Sequence, residues 1–207
     1  MQDQLELDRF IRDLAGEPLD LDADRRAKLA DLAAYLRGNI AAARPTVLVF
    51  ICTHNSRRSQ MAQVWAQIAA AHFGIPQLTA HSGGTEVTAF HPNAVAALRS
   101  LGVAIERTTD SENPRYAVTI PGRAHDLTLF SKRFDADTNP REGFCAVMTC
   151  TQADESCPFV AGAETRIALE YQDPKVSDGT PEALATYRAC SRRIARELCY
   201  AFSLATT

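Results

Sequence analysis

The chain has 207 residues, of which 46% are hydrophobic and 23% charged, with a formal net charge of -3; this is an ordinary globular balance and excludes disorder throughout. It carries no overall positive charge to attract nucleic acid, so any anion site has to be local, and no apolar run is long enough to span a bilayer. The acidic opening "MQDQLELDRFIRDLAGEPLDLD" lacks the basic flank and apolar stretch of a secretory signal, so a cytoplasmic protein with neither membrane nor nucleic-acid partner is expected.

Residues 1–44 read as a helical N-terminal extension of two helices. Leu5, Phe10, Ile11 and Leu14 fall at helical spacing, the stretch from Gly16 to Pro18 interrupts them, and Leu29, Leu32, Ala33 and Leu36 resume the pattern. The extension is expected to pack on the body, or else on a partner. Residues 45–207 read as the catalytic domain. Its first segment, "TVLVFI" at 46–51, is β-branched and apolar on both faces, as in a central strand of a parallel sheet. Met61, Val64, Trp65, Ile68 and Ala69 then follow with the spacing of an amphipathic helix. "LTAHS" (78–82) is a second strand, and Pro92 opens a helix that turns Val95, Leu98 and Leu101 inward before Gly102 stops it.

Further short strands are expected at "VAIE" (103–106), "CAVMTC" (145–150) and "RIALE" (166–170), and a last helix from about Pro181 aligns Leu184, Tyr187, Ile194, Leu198 and Phe202. Between them, residues 113–134 alternate, turn at "PGRAHD" and resume extended character, which suggests an inserted β-hairpin. Strands alternating with helices imply an α/β, doubly wound, mainly parallel sheet flanked by helices, with ligands bound beyond the carboxyl ends of the strands. Cys52, Cys150 and Asp173 are all expected near such ends.

The stretch "FICTHNSRRSQMAQ" (50–63) carries the chemistry. A cysteine at a strand end, a turn and a helix starting near Arg58 direct free N–H groups at one point, a site for a tetrahedral oxyanion. The helix N-terminus and the guanidinium both favour a thiolate, and Arg58 offers a two-pronged fork that lysine cannot copy. Ser59 is placed to donate its hydroxyl to the sulfur, and Asn55 tolerates the positive φ that a loop curling round an anion needs. Spacing alone does not define such a site. Cys190 and Arg196 are also six residues apart, yet they lie in a helical pattern with no strand or loop between them. Six cysteines (Cys52, Cys145, Cys150, Cys157, Cys190 and Cys199) in a cytoplasmic chain suggest thiols, ligands or catalytic groups rather than structural disulfides. Cys145, Cys150 and Cys157 have poor zinc spacing, so no metal is expected.

"VFICTHNSRRSQMAQVW", "HSGGTE", "FHPNAVAALRSLGV", "MTCTQADESCP" and "YQDPK" together resemble the low-molecular-weight protein tyrosine phosphatase superfamily, and most closely its thioredoxin-coupled arsenate reductases. The resemblance covers 46 to about 202. It implies a four-stranded sheet, Cys52 as nucleophile, Arg58 and the backbone of Thr53, His54, Asn55, Ser56, Arg57 and Arg58 as the oxyanion cradle, and Asp173 as general acid. Asn55, Ser59 and Ser82 would support the loop. It further implies a redox relay in which Cys150 attacks Cys52, releasing arsenite, and Cys157 then attacks Cys150, leaving a disulfide for thioredoxin; no cofactor is bound. The rival expectation is hydrolysis of a phosphate monoester such as phosphotyrosine, with Cys150 and Cys157 protecting Cys52 from oxidation. Three positions depart from the pattern. His54 stands where glycine is usual, Arg57 replaces a small group and adds charge near the anion, and Gln63 replaces an acid of potassium-binding relatives, so no dedicated cation site is expected.

Overall fold

The computed structural model describes residues 2–17, 19–120, 122, 126–156 and 159–207. Helices α1 (Gln2–Gly16) and α2 (Ala23–Ala41) precede strand β1 (Thr46–Cys52), helix α3 (Arg58–His72), strand β2 (Leu78–Gly84) and helix α4 (Pro92–Arg99). Three short strands follow, β3 (Ile105–Arg107), β4 (Tyr116–Val118) and β5 (Leu127–Leu129), then β6 (Phe144–Met148), α5 (Thr151–Ser156), β7 (Ala163–Ala168), a 3-10 turn at Pro174–Ser177 and α6 (Ala183–Thr206).

The main sheet has the order β2-β1-β6-β7 and every pairing in it is parallel. With β1 in the middle, its side chains alternate between two apolar layers, which explains why the segment is apolar at nearly every position. Leu48 and Phe50 face the larger layer, built from α1, α2, α3, α4 and α6; Val49, Ile51 and Cys52 face a thin one completed by Cys150, Ala153 and Val160. Helix α3 lies between sheet and α6, so every residue from Ser59 to Ala70 is buried. That includes Met61, Val64, Trp65, Ile68 and Ala69, as the spacing predicted.

The N-terminal helices pack on this body. Ile11, Leu14, Leu29, Leu32 and Leu36 are at most 1% exposed, and Phe10 meets Trp65 at 5.7 Å between ring centres. Each such aliphatic side chain contributes about 1.5–3 kcal/mol over leaving it in water, so α1 and α2 are part of the core.

Three expectations about local structure change. The "VAIE" strand does not join the parallel sheet; β3 pairs with β4, and β4 with β5, in a separate antiparallel sheet. Only Ile105 of β3 is buried while Glu106 and Arg107 are exposed, so this strand has one apolar face rather than the two a central strand needs. The predicted turn "PGRAHD" lies outside the described residues except at Gly122 and Asp126. Strand β6 ends at Met148, so Cys150 follows the strand by two residues instead of closing it, and Leu184 in the first turn of α6 is 45% exposed rather than in the core stripe.

Gly83 and Gly84 close the fold over the carboxyl end of β1. A Cβ on Gly83 would stand 2.2 Å from Phe134 Cα, and one on Gly84 would stand 2.6 Å from Thr53 O. Both glycines are therefore needed for the chain after β5 and the loop after β1 to approach so closely.

Candidate active site

Cys52 is the last residue of β1 and Arg58 the first of α3, so the intervening loop turns the chain from sheet to helix over five residues. Asn55 takes φ 45°, the left-handed conformation anticipated for it. The loop carbonyls are held from outside. Thr53 O accepts from Glu86 N at 2.8 Å, His54 O from Ser131 Oγ at 2.8 Å, Asn55 O from Gln60 Nε2 at 3.0 Å, and Ser56 O from His91 N at 2.9 Å. Because C=O and N–H point in opposite directions across a trans peptide, the N–H groups of His54 to Arg57 are turned to the concave side.

Cys52 is 3% exposed, and its Sγ is 3.1 Å from Ser59 Oγ, which accepts from Asn55 Nδ2 at 2.9 Å. The serine hydroxyl is thereby left to donate to sulfur. Asn55 Oδ1 accepts from Lys132 N at 2.9 Å, which ties the loop to the chain leaving the insertion. Asn113 and Ser131 pinch that insertion at its base through two hydrogen bonds of 2.8 and 3.1 Å. Gln60, Ser131 and Lys132 were not identified from the sequence, since each makes a bond in which one partner is a backbone group, and such bonds leave no mark in the residue pattern. Ser82, expected to support the loop, does not reach it: its hydroxyl is buried with no hydrogen-bond partner among the described residues.

Arg58 joins the loop to the segment after β7. Its Nη1 donates to Tyr171 O at 2.9 Å and its Nη2 to Asp173 Oδ2 at 2.6 Å, while Nε is buried without a partner among the described residues. Asp173 Oδ1 accepts from Lys175 N at 3.0 Å and so caps the 3-10 turn. The sequence placed Asp173 just past a strand end; it stands five residues beyond β7.

Two loop side chains turn away from the concave face. His54 Nε2 lies 3.2 Å from Glu86 Oε2. Arg57, expected to add charge near the anion, donates through Nε to Tyr187 Oη at 2.6 Å and through Nη2 to Asp178 Oδ2 at 2.9 Å. Tyr187 Oη donates to Asp178 Oδ1 at 2.7 Å and stacks on His91 at 5.5 Å. Burial opposes ionisation of Asp178, but the hydrogen bonds from Tyr187 and Arg57 prevail and hold its carboxyl below the usual range. The charge of Arg57 is thus spent on anchoring the loop to the segment that carries Asp173.

Cys150 is 2% exposed at the start of α5, with its Sγ 3.5 Å from Thr53 Oγ1 and accepting from Ala153 N at 3.3 Å. It shares the thin apolar layer with Cys52. Cys157 lies outside the described residues. Burial pushes the Cys190 and Cys199 thiols up to about 12 and Cys145 higher still. The Cys190–Arg196 spacing therefore belongs to a helix-bound thiol, as context indicated. Among the described residues no group of three His, Cys, Asp or Glu side chains could hold a metal ion, and no helix is long and apolar enough to cross a membrane.

Behind the loop, Lys132 is 7% exposed and lines a cavity of about 370 Å³ with Gln63, Gln67 and His81. Its amine makes no hydrogen bond or ion pair among the described residues and lies 5.0 Å from the Phe130 ring centre. Burial pushes this amine down to about 8, and burial together with Lys132 pushes His81 down to about 4. The unfolded chain keeps the lysine proton to higher pH than the folded one, so the burden on folding is full below pH 8 and lifts as pH rises from there towards 10.5. Lys132→Met is expected to stabilise the protein at pH 7 by up to about 3 kcal/mol. Urea melts of parent and variant at pH 7 and pH 10 check this, since the gap should close at the higher pH. A gap independent of pH would contradict the account.

The model of the family described as low molecular weight phosphotyrosine protein phosphatase matches residues 47–198. Among curated relatives, an arsenate reductase of Bacillus licheniformis is 30% identical over 65% of this chain and 78% of its own length. One from Halalkalibacterium halodurans is 32% identical over 66% and 79%. Two solved structures share the fold. A YwlE mutant from Bacillus subtilis superposes with TM-score 0.53 at 15% identity, covering 76% of this chain and 97% of that one. A low molecular weight protein tyrosine phosphatase from T. tengcongensis gives 0.51 at 16%, covering 74% and 95%. The α/β order, the cysteine-to-arginine loop and these matches agree: the chain belongs to the low molecular weight phosphotyrosine protein phosphatase family, enzymes that act through a cysteine nucleophile.

Proposed function

We propose that this protein is an arsenate reductase of the thioredoxin-coupled kind, with Cys52 as nucleophile and residual phosphatase activity in the same cleft. The observation that carries the reading is the convergence of Cys52 and Ser59, the Arg58–Asp173 pair and the Cys150 thiol on one loop. Relatives that bear the name arsenate reductase support it.

The Cys52 thiolate attacks arsenic while the loop amides and Arg58 hold the oxyanion, and Asp173 protonates the departing oxygen, which leaves as water. The Cys150 thiolate then attacks Cys52 Sγ. The arsenic–sulfur bond breaks with its electron pair going to arsenic, so arsenite leaves and a Cys52–Cys150 disulfide remains. Attack by Cys157 on Cys150 restores Cys52 as a thiolate, and the dithiol of thioredoxin reduces the Cys150–Cys157 disulfide. The first step also suffices for a phosphate monoester, with water then releasing phosphate from Cys52; this is the second reading, favoured by the completeness of the Cys52, Arg58 and Asp173 set without any further thiol.

Arsenate-dependent oxidation of thioredoxin, assayed beside aryl phosphate hydrolysis in the parent and in Cys157→Ser, separates the two. Repeated arsenate turnover in the parent, reduced to a single turnover in the variant with ester hydrolysis intact, is the expected result. Ester hydrolysis with no arsenate-dependent thiol oxidation in the parent would overturn the reductase assignment and leave the phosphatase.

A further inference from the structure

Helix α2 lies outside the residues that the family model matches, yet its first turn reaches the segment that carries Asp173. Arg25 is 7% exposed and Glu197, on α6, is 1% exposed. Arg25 Nε donates to Glu197 Oε2 at 3.0 Å, its Nη2 donates to the same oxygen, and Arg193 Nε donates to Oε1 at 3.0 Å. With its nitrogens fixed on this carboxylate, the guanidinium carbon lies over Tyr171, 4.6 Å from the ring centre. Tyr171 is 5% exposed and its N–H donates to Thr149 O at 3.1 Å. Its carbonyl accepts from Arg58 Nη1 at 2.9 Å, and two residues later Asp173 accepts from Nη2 of the same guanidinium at 2.6 Å. Arg25 is therefore one ring away from the backbone oxygen that aims Arg58.

We propose that Arg25 is a positioning residue: clamped by Glu197, it holds Tyr171 so that Arg58 and Asp173 present their forks to the substrate together. A planar guanidinium can bond a carboxylate edge-on while covering a ring with its face; an ammonium cannot do both. The proposal rests on the assignment of Arg58 and Asp173 made under the proposed function.

A misplaced acid harms poor leaving groups most, because good ones depart without a proton. In Arg25→Met, kcat/KM for phenyl phosphate is expected to fall about 10-fold, and arsenate reduction with it, whereas 2,4-dinitrophenyl phosphate should lose less than about 3-fold. Arg25→Lys keeps the charge opposite Glu197 but not the flat face, so it should show the same selectivity to a smaller degree; it carries the test if Arg25→Met does not fold. Equal losses on both esters, or no loss in the variant that folds, would overturn the proposal. Asp173→Asn supplies the reference. If it is leaving-group selective and the Arg25 variants are not, Arg25 has only a structural role and the acid assignment stands; if it is not selective, the acid assignment falls and the Arg25 proposal falls with it.

Discussion

Cys52→Ser is expected to abolish both arsenate reduction and ester hydrolysis, by at least about 10⁴-fold, because a hydroxyl in place of the thiol is a far weaker nucleophile at neutral pH. The substitution is small, and the new hydroxyl still has Ser59 Oγ beside it, so no buried polar atom is orphaned. The loop carbonyls keep their outer partners at Glu86, Ser131, Gln60 and His91, so the concave N–H groups stay in place. Inorganic phosphate should accordingly still bind with nearly parental affinity, which titration calorimetry measures next to the two activity assays. Substantial turnover remaining in this variant would mean that another thiol does the chemistry, and the assignment of the loop would be lost.

Asp173→Asn is expected to cut kcat/KM for phenyl phosphate by about 10²–10⁴-fold, the usual contribution of a positioned acid, and to affect 2,4-dinitrophenyl phosphate far less. The amide can still accept from Lys175 N, so the 3-10 turn keeps its cap while the proton donor is gone. The substitution also changes the group that Arg58 Nη2 meets at 2.6 Å from a carboxyl to a neutral amide. Oxyanion inhibitors should for that reason bind no more weakly, and binding is the control that separates a missing proton from a collapsed site. A uniform loss on both esters would show that Asp173 matters only for architecture.

The strand, loop and helix at 46–72 were legible in the sequence because each level agreed: apolar residues on both faces, an asparagine where φ turns positive, and helical spacing from Arg58. The outer contacts that hold the loop were not legible, for reasons of distance. Ser131 and Lys132 reach the loop from 77 residues away, one through its hydroxyl and the other through its backbone N–H, and no local pattern marks such contacts. The partners of Arg57 were illegible for a similar reason. Its charge suggested an anion, yet Asp178, Tyr187 and Asn93 bring three separate segments together around it. The sheet that the strand at 103–106 joins was not legible, because three residues carry too little periodicity to distinguish an exposed antiparallel ribbon from a buried parallel strand.

The two sides of the main sheet are unequally covered, five helices against one of six residues. The proposed relay, in which sulfur hands its bond to sulfur, needs somewhere that can deform without loosening everything else. Here Cys150 sits on the lightly clad side at the head of a six-residue helix, which has less buried contact to lose than any helix of the thick opposite layer. The asymmetry thus puts both Cys52 and Cys150 on the side with less packing to give up.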